Sequence, residues 1–352
     1  MFWAMNAPLR RNPFPGTGTK SRRPITLVPQ NFVAWMSLLC SYPATTPRSK
    51  LGERGRLSRG LGKIALNFSR NDTTPMKLKE LFYLLGLKQK TKTYGHRVDR
   101  FQLEKDGEVE FANWEHPHCA PKSVTQEEID ALREFLKPGD SAIDIGAHIG
   151  DTTVPIALAV GGEGCVFGLE PNPKVYQILN VNAGLNLGRM RIIPLPYAAS
   201  ENSCKLTFTY SDSGLCNGGE HRGLSRWKHA HAFEIEVDGL NAEKLLREQY
   251  PEEVKKLKYV KTDAEGGDLY VLQSIAGLID EFRPFIRSEV YKHTKAEQRR
   301  DLFQFFLERG YSIYEYEEAG PTLKGKALSL EDVQQAAHYD IFAVPPQAVS
   351  AG

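Results

Sequence analysis

The sequence predicts an α/β protein built on a doubly wound, seven-stranded sheet, mostly parallel with an antiparallel last strand, and carrying a small rim ahead of it. Three observations predict it. Residues 141–172 (SAIDIGAHIGDTTVPIALAVGGEGCVFGLEPN) set an apolar run, a glycine turn, a helical run and a second apolar run in the order of a βαβ unit. Strand-like and helix-like runs then continue to alternate through residues 173–306. Residues 311–317 and 339–344 follow as two closing strands that read as an antiparallel pair.

Within the βαβ unit, residues 141–145 form a short strand carrying Asp144, and Gly146 and Gly150 bracket a tight turn whose backbone can approach a ligand closely. Asp151 or Thr152 can cap the helix that follows. Pro155 falls in its first turn, where a missing N–H costs nothing, and Gly161 and Gly162 end it. Residues 165–169 are the second strand, which ends at Glu170. An acid at that tip is placed to accept hydrogen bonds from two ribose hydroxyls, so the expected ligand contains a nucleoside. The turn reads Gly146, Ala147, His148, Ile149, Gly150 and lacks the middle glycine that a dinucleotide fingerprint uses; the His148 side chain would crowd a diphosphate. S-adenosylmethionine carries no phosphate and tolerates such a turn.

The 352 residues, 41% hydrophobic and 25% charged, supply enough apolar material for one large core or two modest ones. The formal net charge of +2 hides an asymmetry. Residues 1–70 hold 12 Lys or Arg against the single acid Glu53, which leaves the remainder net acidic and argues against a nucleic-acid groove there. Cys40, Cys119, Cys165, Cys204 and Cys216 are odd in number, with no C-x-x-C pair and no metal-ligand spacing, and read as reduced thiols of a cytoplasmic protein. No apolar stretch approaches the ~20 residues of a transmembrane helix.

Residues 1–75 are rich in Pro, Gly, Ser, Thr and Arg without a sustained period, and are expected to be a disordered, dispensable extension. Met76 is an alternative start, because Leu78, Leu81, Phe82, Leu85 and Leu87 behind it repeat at close to helical spacing. Residues 76–124 make the rim, with a hairpin signalled by Asp106-Gly107. The core is placed at 125–345 and a short tail at 346–352. It opens with a helix at 125–136, capped by Thr125 and with Ile129, Leu132, Phe135 and Leu136 on one face. A helix at 173–187 ends at Gly188, and strands follow at 190–195, 205–210 and 234–237. Residues 211–231 lose regularity, as functional loops do; their histidines His221, His229 and His231 lack a fixed ligand spacing, and no metal is expected. After a helix at 242–249, residues 257–262 form a strand running into Asp263-Ala264-Glu265-Gly266-Gly267-Asp268, and 284–290 form another that ends near Glu289.

Two separated pieces, VKTDAEGGDLYVLQSI with RPFIRSEV behind it and AIDIGAHIGDTT with FGLEPNP after it, together resemble the FkbM-type family of S-adenosylmethionine-dependent methyltransferases. The likeness spans residues 94–344 and includes the N-x-x-x-N pair Asn182 and Asn186. It implies a class I methyltransferase, Rossmann-like fold and methylation of hydroxyls on sugars or natural products, with a small-molecule or glycan acceptor. This chain departs from the family pattern at His148, where Asn is usual, at Asp268 in place of Glu, and at Asn241, where Asp is frequent.

The expected cofactor-facing residues are Asp144, Gly146, Ala147, His148, Gly150 and Thr152, with Glu170 and Asn172 at the second strand tip. An alcohol needs a general base as it attacks, and the candidates are Asp263 and Glu265, which alternate at one strand end and face opposite sides until the glycine turn bends the chain, and Glu289 and His293, which follow the adjacent strand within reach of the same crevice from the side. A nicotinamide-dependent oxidoreductase is the rival enzyme, weakened by the missing glycine; a non-catalytic nucleoside-binding module is the rival outside enzymes.

Overall fold

The computed structural model describes residues 91–210, 212–216, 218–219, 233–316, 327–332 and 339–346. The chain divides into two units, residues 1–72 and 73–352, and everything described lies in the second. The expectations for residues 1–75, for the Met76 segment and for His221, His229 and His231 fall outside the described residues.

A hairpin of β1 (His96–Leu103) and β2 (Gly107–Trp114) precedes helix α1 (Gln126–Arg133), which Thr125 caps by accepting from the Glu128 N–H. The βαβ unit follows as β3 (Ser141–Ile145), α2 (Thr153–Val160) and β4 (Cys165–Leu169), then α3 (Pro173–Ala183) and β5 (Ile192–Leu195). Four short or exposed strands come next: β6 (Ala198–Ala199), β7 (Cys204–Tyr210), β8 (Gly218–Gly219) and β9 (Phe233–Leu240). The second half contains α4 (Ala242–Gln249), α5 (Pro251–Val254), β10 (Leu257–Thr262), α6 (Asp268–Ser274) and α7 (Ala276–Phe282). It closes with β11 (Phe285–Val290), α8 (Ala296–Leu307), β12 (Ser312–Tyr316) and β13 (Tyr339–Val344).

Seven of these strands form one sheet in the order β12-β13-β11-β10-β3-β4-β5, with β13 antiparallel to both neighbours and the others parallel, as expected. Its central strands are buried on both faces, which is why they read as unbroken apolar runs rather than alternating ones. Ile143, Phe167, Val260 and Ile286 pack on the side of α4, α6, α7 and α8. Ala142, Val166, Tyr259 and Phe285 pack on the side of α1, α2, α3 and β2. The strand order reverses between β3 and β10, so the carboxyl ends of those two strands open the crevice where doubly wound folds bind ligands.

Four local expectations are corrected. The strand at 204–210 pairs with β9 and β8 in a separate four-stranded sheet; its alternating burial marks a sheet with one wet face. The hairpin loop holds three residues, with Leu103 paired to Gly107 and Gly107 at φ +66°, so Asp106-Gly107 is not a two-residue turn. Thr152 occupies the N-cap position of α2 in helical geometry without capping it, because its hydroxyl is directed to Asp144. Helix α3 stops at Gly184, short of residue 187.

That early stop frees Asn186 to enter the left-handed region at φ +52° and, with Asn182, to grip the hairpin. The Asn182 side chain accepts from the Ala112 N–H at 2.7 Å and donates to the carbonyls of Ala112 at 3.0 Å and Ile149 at 2.7 Å. Asn186 accepts from the Glu110 N–H and donates to its carbonyl in the same way. Asn182→Ala is expected to cost at least about 2 kcal/mol in urea unfolding, since it strands three main-chain groups out of water; a loss under about 0.5 kcal/mol would contradict the assignment.

Candidate active site at the carboxyl ends of the strands

Gly146, at φ +76°, turns the chain out of β3 so closely against the next strand that a Cβ there would lie 2.1 Å from the Asp263 carbonyl oxygen. Only glycine fits both the backbone angle and the approach. The N–H groups of Gly146 and Ala147 both donate to the Leu169 carbonyl, and the Asp263 N–H donates to the Ile145 carbonyl. The turn is therefore tied to both flanking strands. His148, at φ +49°, and Gly150, at φ +97°, complete it.

Asp144 is fully buried beneath the turn. One of its oxygens accepts from the hydroxyls of Thr152 and Thr153, and the other lies 3.3 Å from the Lys261 ammonium. Lys261 stands opposite Asp144 in the β3–β10 register, 4% exposed, donates to the Gly146 carbonyl at 3.0 Å and reaches Asp263 at 3.6 Å. Burial opposes its charge, but Asp144 and Asp263 hold it above the ordinary lysine range. This lysine, absent from the expected site, was signalled only by its position inside the apolar run LKYVKT.

Glu170 leaves β4 with its carboxylate held by main chain alone: Oε2 accepts from the His148 N–H at 3.0 Å and Oε1 from the Asn172 N–H at 2.8 Å. Burial pushes its pKa up, against the opposing pull of His148 and these two N–H groups. Each oxygen keeps a lone pair for a hydroxyl donor, so the residue fits a ribose-bearing cofactor. Asn172 caps α3 by accepting from the Lys174 N–H and donates to the Leu215 carbonyl. Thr152 and Asn172, expected to face the cofactor, thus spend their side chains on holding the turn and the loop beside it.

The four candidate bases are placed differently. Asp263 follows β10 with its side chain 46% exposed at the crevice. Glu265 is exposed, sits at φ +51°, and accepts from the Tyr291 hydroxyl. His293 is exposed beyond β11, its ring 5.3 Å from that of Tyr291. Glu289 is 9% exposed, and burial followed by the charges of Asp263, Asp268, Glu265 and Asp340 pushes it up to about 9. Near neutral pH it is protonated and placed to donate rather than to accept. Asp268 is buried and pushed up to about 7, and it accepts from the Ala264 N–H, bracing the glycine turn. The third departure from the family pattern is explained likewise: Asn241 caps α4 and holds the Glu201 carbonyl.

A raised carboxyl makes stability pH-dependent with a definite sign. Between its ordinary 4.5 and its folded value of about 9, Glu289 keeps a proton that the unfolded chain has released, so stability is full below that window and falls as pH rises through it. Glu289→Gln should therefore gain melting temperature relative to the parent at pH 9 compared with pH 5. An equal difference at both pH values would show Glu289 to be ionised in the folded protein.

On the outer side of the turn, burial opposes the ionisation of Asp151, yet His148 and Lys122 hold it below the usual carboxylate range; its oxygens lie 3.7 Å from His148 Nδ1 and 2.6 Å from Lys122 Nζ. Beside them the neighbouring Cys216 thiol holds the Cys119 thiol below its ordinary range. Among the described residues, no helix is long and apolar enough to cross a membrane.

The first solved structure to compare is the methyltransferase FkbM of Methylobacillus flagellatus, 15% identical with a TM-score of 0.37, which covers 59% of this chain and 44% of that one. An S-adenosylmethionine-dependent O-methyltransferase of Thermotoga maritima is 14% identical with a TM-score of 0.34, covering 64% and 67%. A curated protein of Saccharolobus solfataricus, described as "Probable cobalt-precorrin-6B C(15)-methyltransferase (decarboxylating)", is 38% identical over 63 residues, 17% of this chain and 32% of its own. The chain thus spans less than half the length of this curated relative and of the first structure. The family model of the methyltransferase FkbM domain matches residues 144–313, from the buried Asp144 to the closing strand pair. With the sheet order, the glycine turn and Glu170 already in place, the resemblance of the sequence to the FkbM-type S-adenosylmethionine-dependent methyltransferases is matched by the family model over residues 144–313, just under half of the chain.

Proposed function

We propose that this protein transfers a methyl group from S-adenosylmethionine to a hydroxyl of a sugar or small natural product. The observation that carries the reading is the turn from Gly146 to Gly150 set against Glu170, a buried carboxylate fixed by two main-chain N–H groups with free lone pairs toward the crevice. Glu170 would hold the ribose, and Gly146, Ala147, His148 and Gly150 would lie along the remainder. The cofactor supplies a methyl group already activated on sulfonium, so the protein's part is to position the acceptor oxygen and remove its proton. Asp263 projects into the crevice from the strand beside the turn and is the acceptor of that proton. Glu289, protonated, is a donor that orients the substrate, with Glu265 at the rim. His293 stands exposed beyond β11.

Glu170→Ala should weaken S-adenosylmethionine binding at least tenfold in calorimetric titration, because each charge-assisted hydrogen bond contributes about 1.5 to 3 kcal/mol. An unchanged dissociation constant would remove Glu170 from the site, and tighter binding of a nicotinamide dinucleotide than of S-adenosylmethionine would overturn the reading as a whole. Comparing methylated metabolites and glycans between a deletion strain and its parent would name the acceptor.

A further inference from the structure

Three donor atoms to which the proposed methyl transfer gives no proton to move and no bond to make meet beside the proposed cofactor turn. They belong to Cys119 in the loop after β2, His148 in the turn itself and Cys216 in the loop after β7, and they lie within 4.8 Å of one another. We infer that these side chains form a binding site for zinc, a soft-ligand divalent cation, at the edge of the proposed cofactor pocket. Two thiols and an imidazole nitrogen are the donor set that zinc takes in preference to magnesium or calcium, which require oxygen. At Zn–S of about 2.3 Å and Zn–N of about 2.0 to 2.1 Å, tetrahedral donors stand roughly 3.5 to 3.8 Å apart, so the observed cluster closes by about 1 Å. Three protein donors leave a fourth position for water.

The surroundings are arranged as support for such a site. His148 Nδ1 lies 3.7 Å from an Asp151 oxygen, a small rearrangement away from the carboxylate–histidine pairing that orients a metal-binding ring and would leave Nε2 for the ion; Lys122 secures Asp151 in turn. Both cysteine backbones are fixed by one buried histidine. The His116 carbonyl accepts from the Cys119 N–H at 3.0 Å. Its Nε2 lies 3.0 Å from Asp212, whose carboxylate accepts from the N–H groups of Cys216 and Gly214. His116 Nδ1 accepts from the His118 N–H, so the neutral ring carries its proton on Nε2, and burial holds its pKa low. The Cys216 loop sits so close that a Cβ on Gly214 would meet His116 Nε2 at 1.9 Å. A zinc ion there would link three remote segments and fix His148, whose N–H holds Glu170.

The test uses the full chain, purified with reductant, stripped by chelator, reloaded with zinc chloride and dialysed. Elemental analysis should find one zinc per chain in the parent and in the control Cys204→Ser. Cys119→Ser, Cys216→Ser and His148→Asn should each weaken zinc binding more than a hundredfold in competition with a chromophoric chelator, and Asp151→Asn by about 10-fold to 100-fold. Cobalt chloride in place of zinc should give the parent a thiolate-to-cobalt charge-transfer band, a reading that needs no variant. Reduced parent protein that retains under a tenth of an equivalent of zinc and shows no such band overturns the inference, as does zinc content indifferent to the three substitutions. A Cys119–Cys216 disulfide in protein prepared without reductant, together with no zinc uptake after reduction, would also overturn it, in favour of a redox pair. Metal content is read independently of methyl transfer, so its failure leaves the proposed activity standing, and the reverse.

Discussion

Replacing Lys261 with Met is expected to lower the unfolding free energy by about 3 to 5 kcal/mol, the usual cost of leaving one partner of a buried ion pair uncompensated. Asp144 is fully buried, and among the described residues the groups that meet it apart from Lys261 are two hydroxyls on one oxygen. Met has a similar length and shape, so packing is nearly conserved and the loss reports charge. The Gly146 carbonyl would also lose its donor, which loosens the glycine turn. Urea unfolding measures the effect, and the double variant Lys261→Met with Asp144→Asn should recover part of the loss by removing the stranded charge. A single-variant loss below about 1 kcal/mol would mean that water reaches Asp144 and the pair is not a buried one.

Asp263→Asn should lower turnover by about two orders of magnitude while S-adenosylmethionine affinity changes little, if Asp263 takes the acceptor's proton. The change keeps the shape and removes the charge. The bracing of the neighbouring turn is done by the Asp263 main chain, through its N–H to Ile145 and its carbonyl against Gly146, and both survive the substitution. Stability should therefore hold, apart from the contact with Lys261 at 3.6 Å. Turnover, cofactor affinity and melting temperature on this variant distinguish the roles. A fall in melting temperature and affinity with turnover preserved at saturation would make Asp263 a structural brace. Near-normal turnover with both unchanged would move the proton acceptor to Glu265, Glu289 or His293.

The sequence by itself determined the class of the central sheet, seven-stranded and mostly parallel with an antiparallel last strand, and the location of the glycine turn. The bounds of β3 and β4 were legible to the residue, because a strand buried on both faces leaves an unbroken apolar run and glycine marks where the chain must turn. Glu170 was legible because it directly follows such a run. What only the tertiary structure decided depends on contacts between residues far apart in the chain. Lys261 reads in isolation as a strand lysine; its register opposite Asp144 makes it the counter-ion beneath the turn. Asn182 and Asn186 read as a family motif, and their pairing with the β2 main chain shows what they hold. Glu289 and Asp263 are both carboxylates at strand ends, and burial, reinforced by the carboxylates around it, makes the first a proton donor near neutral pH. Cys119, His148 and Cys216 have no ligand spacing at all, since the fold brings their segments together from three separate loops. Local patterns record periodicity and backbone angle, whereas charge state and coordination depend on which distant group comes within a few ångströms, and the packed sheet decides that.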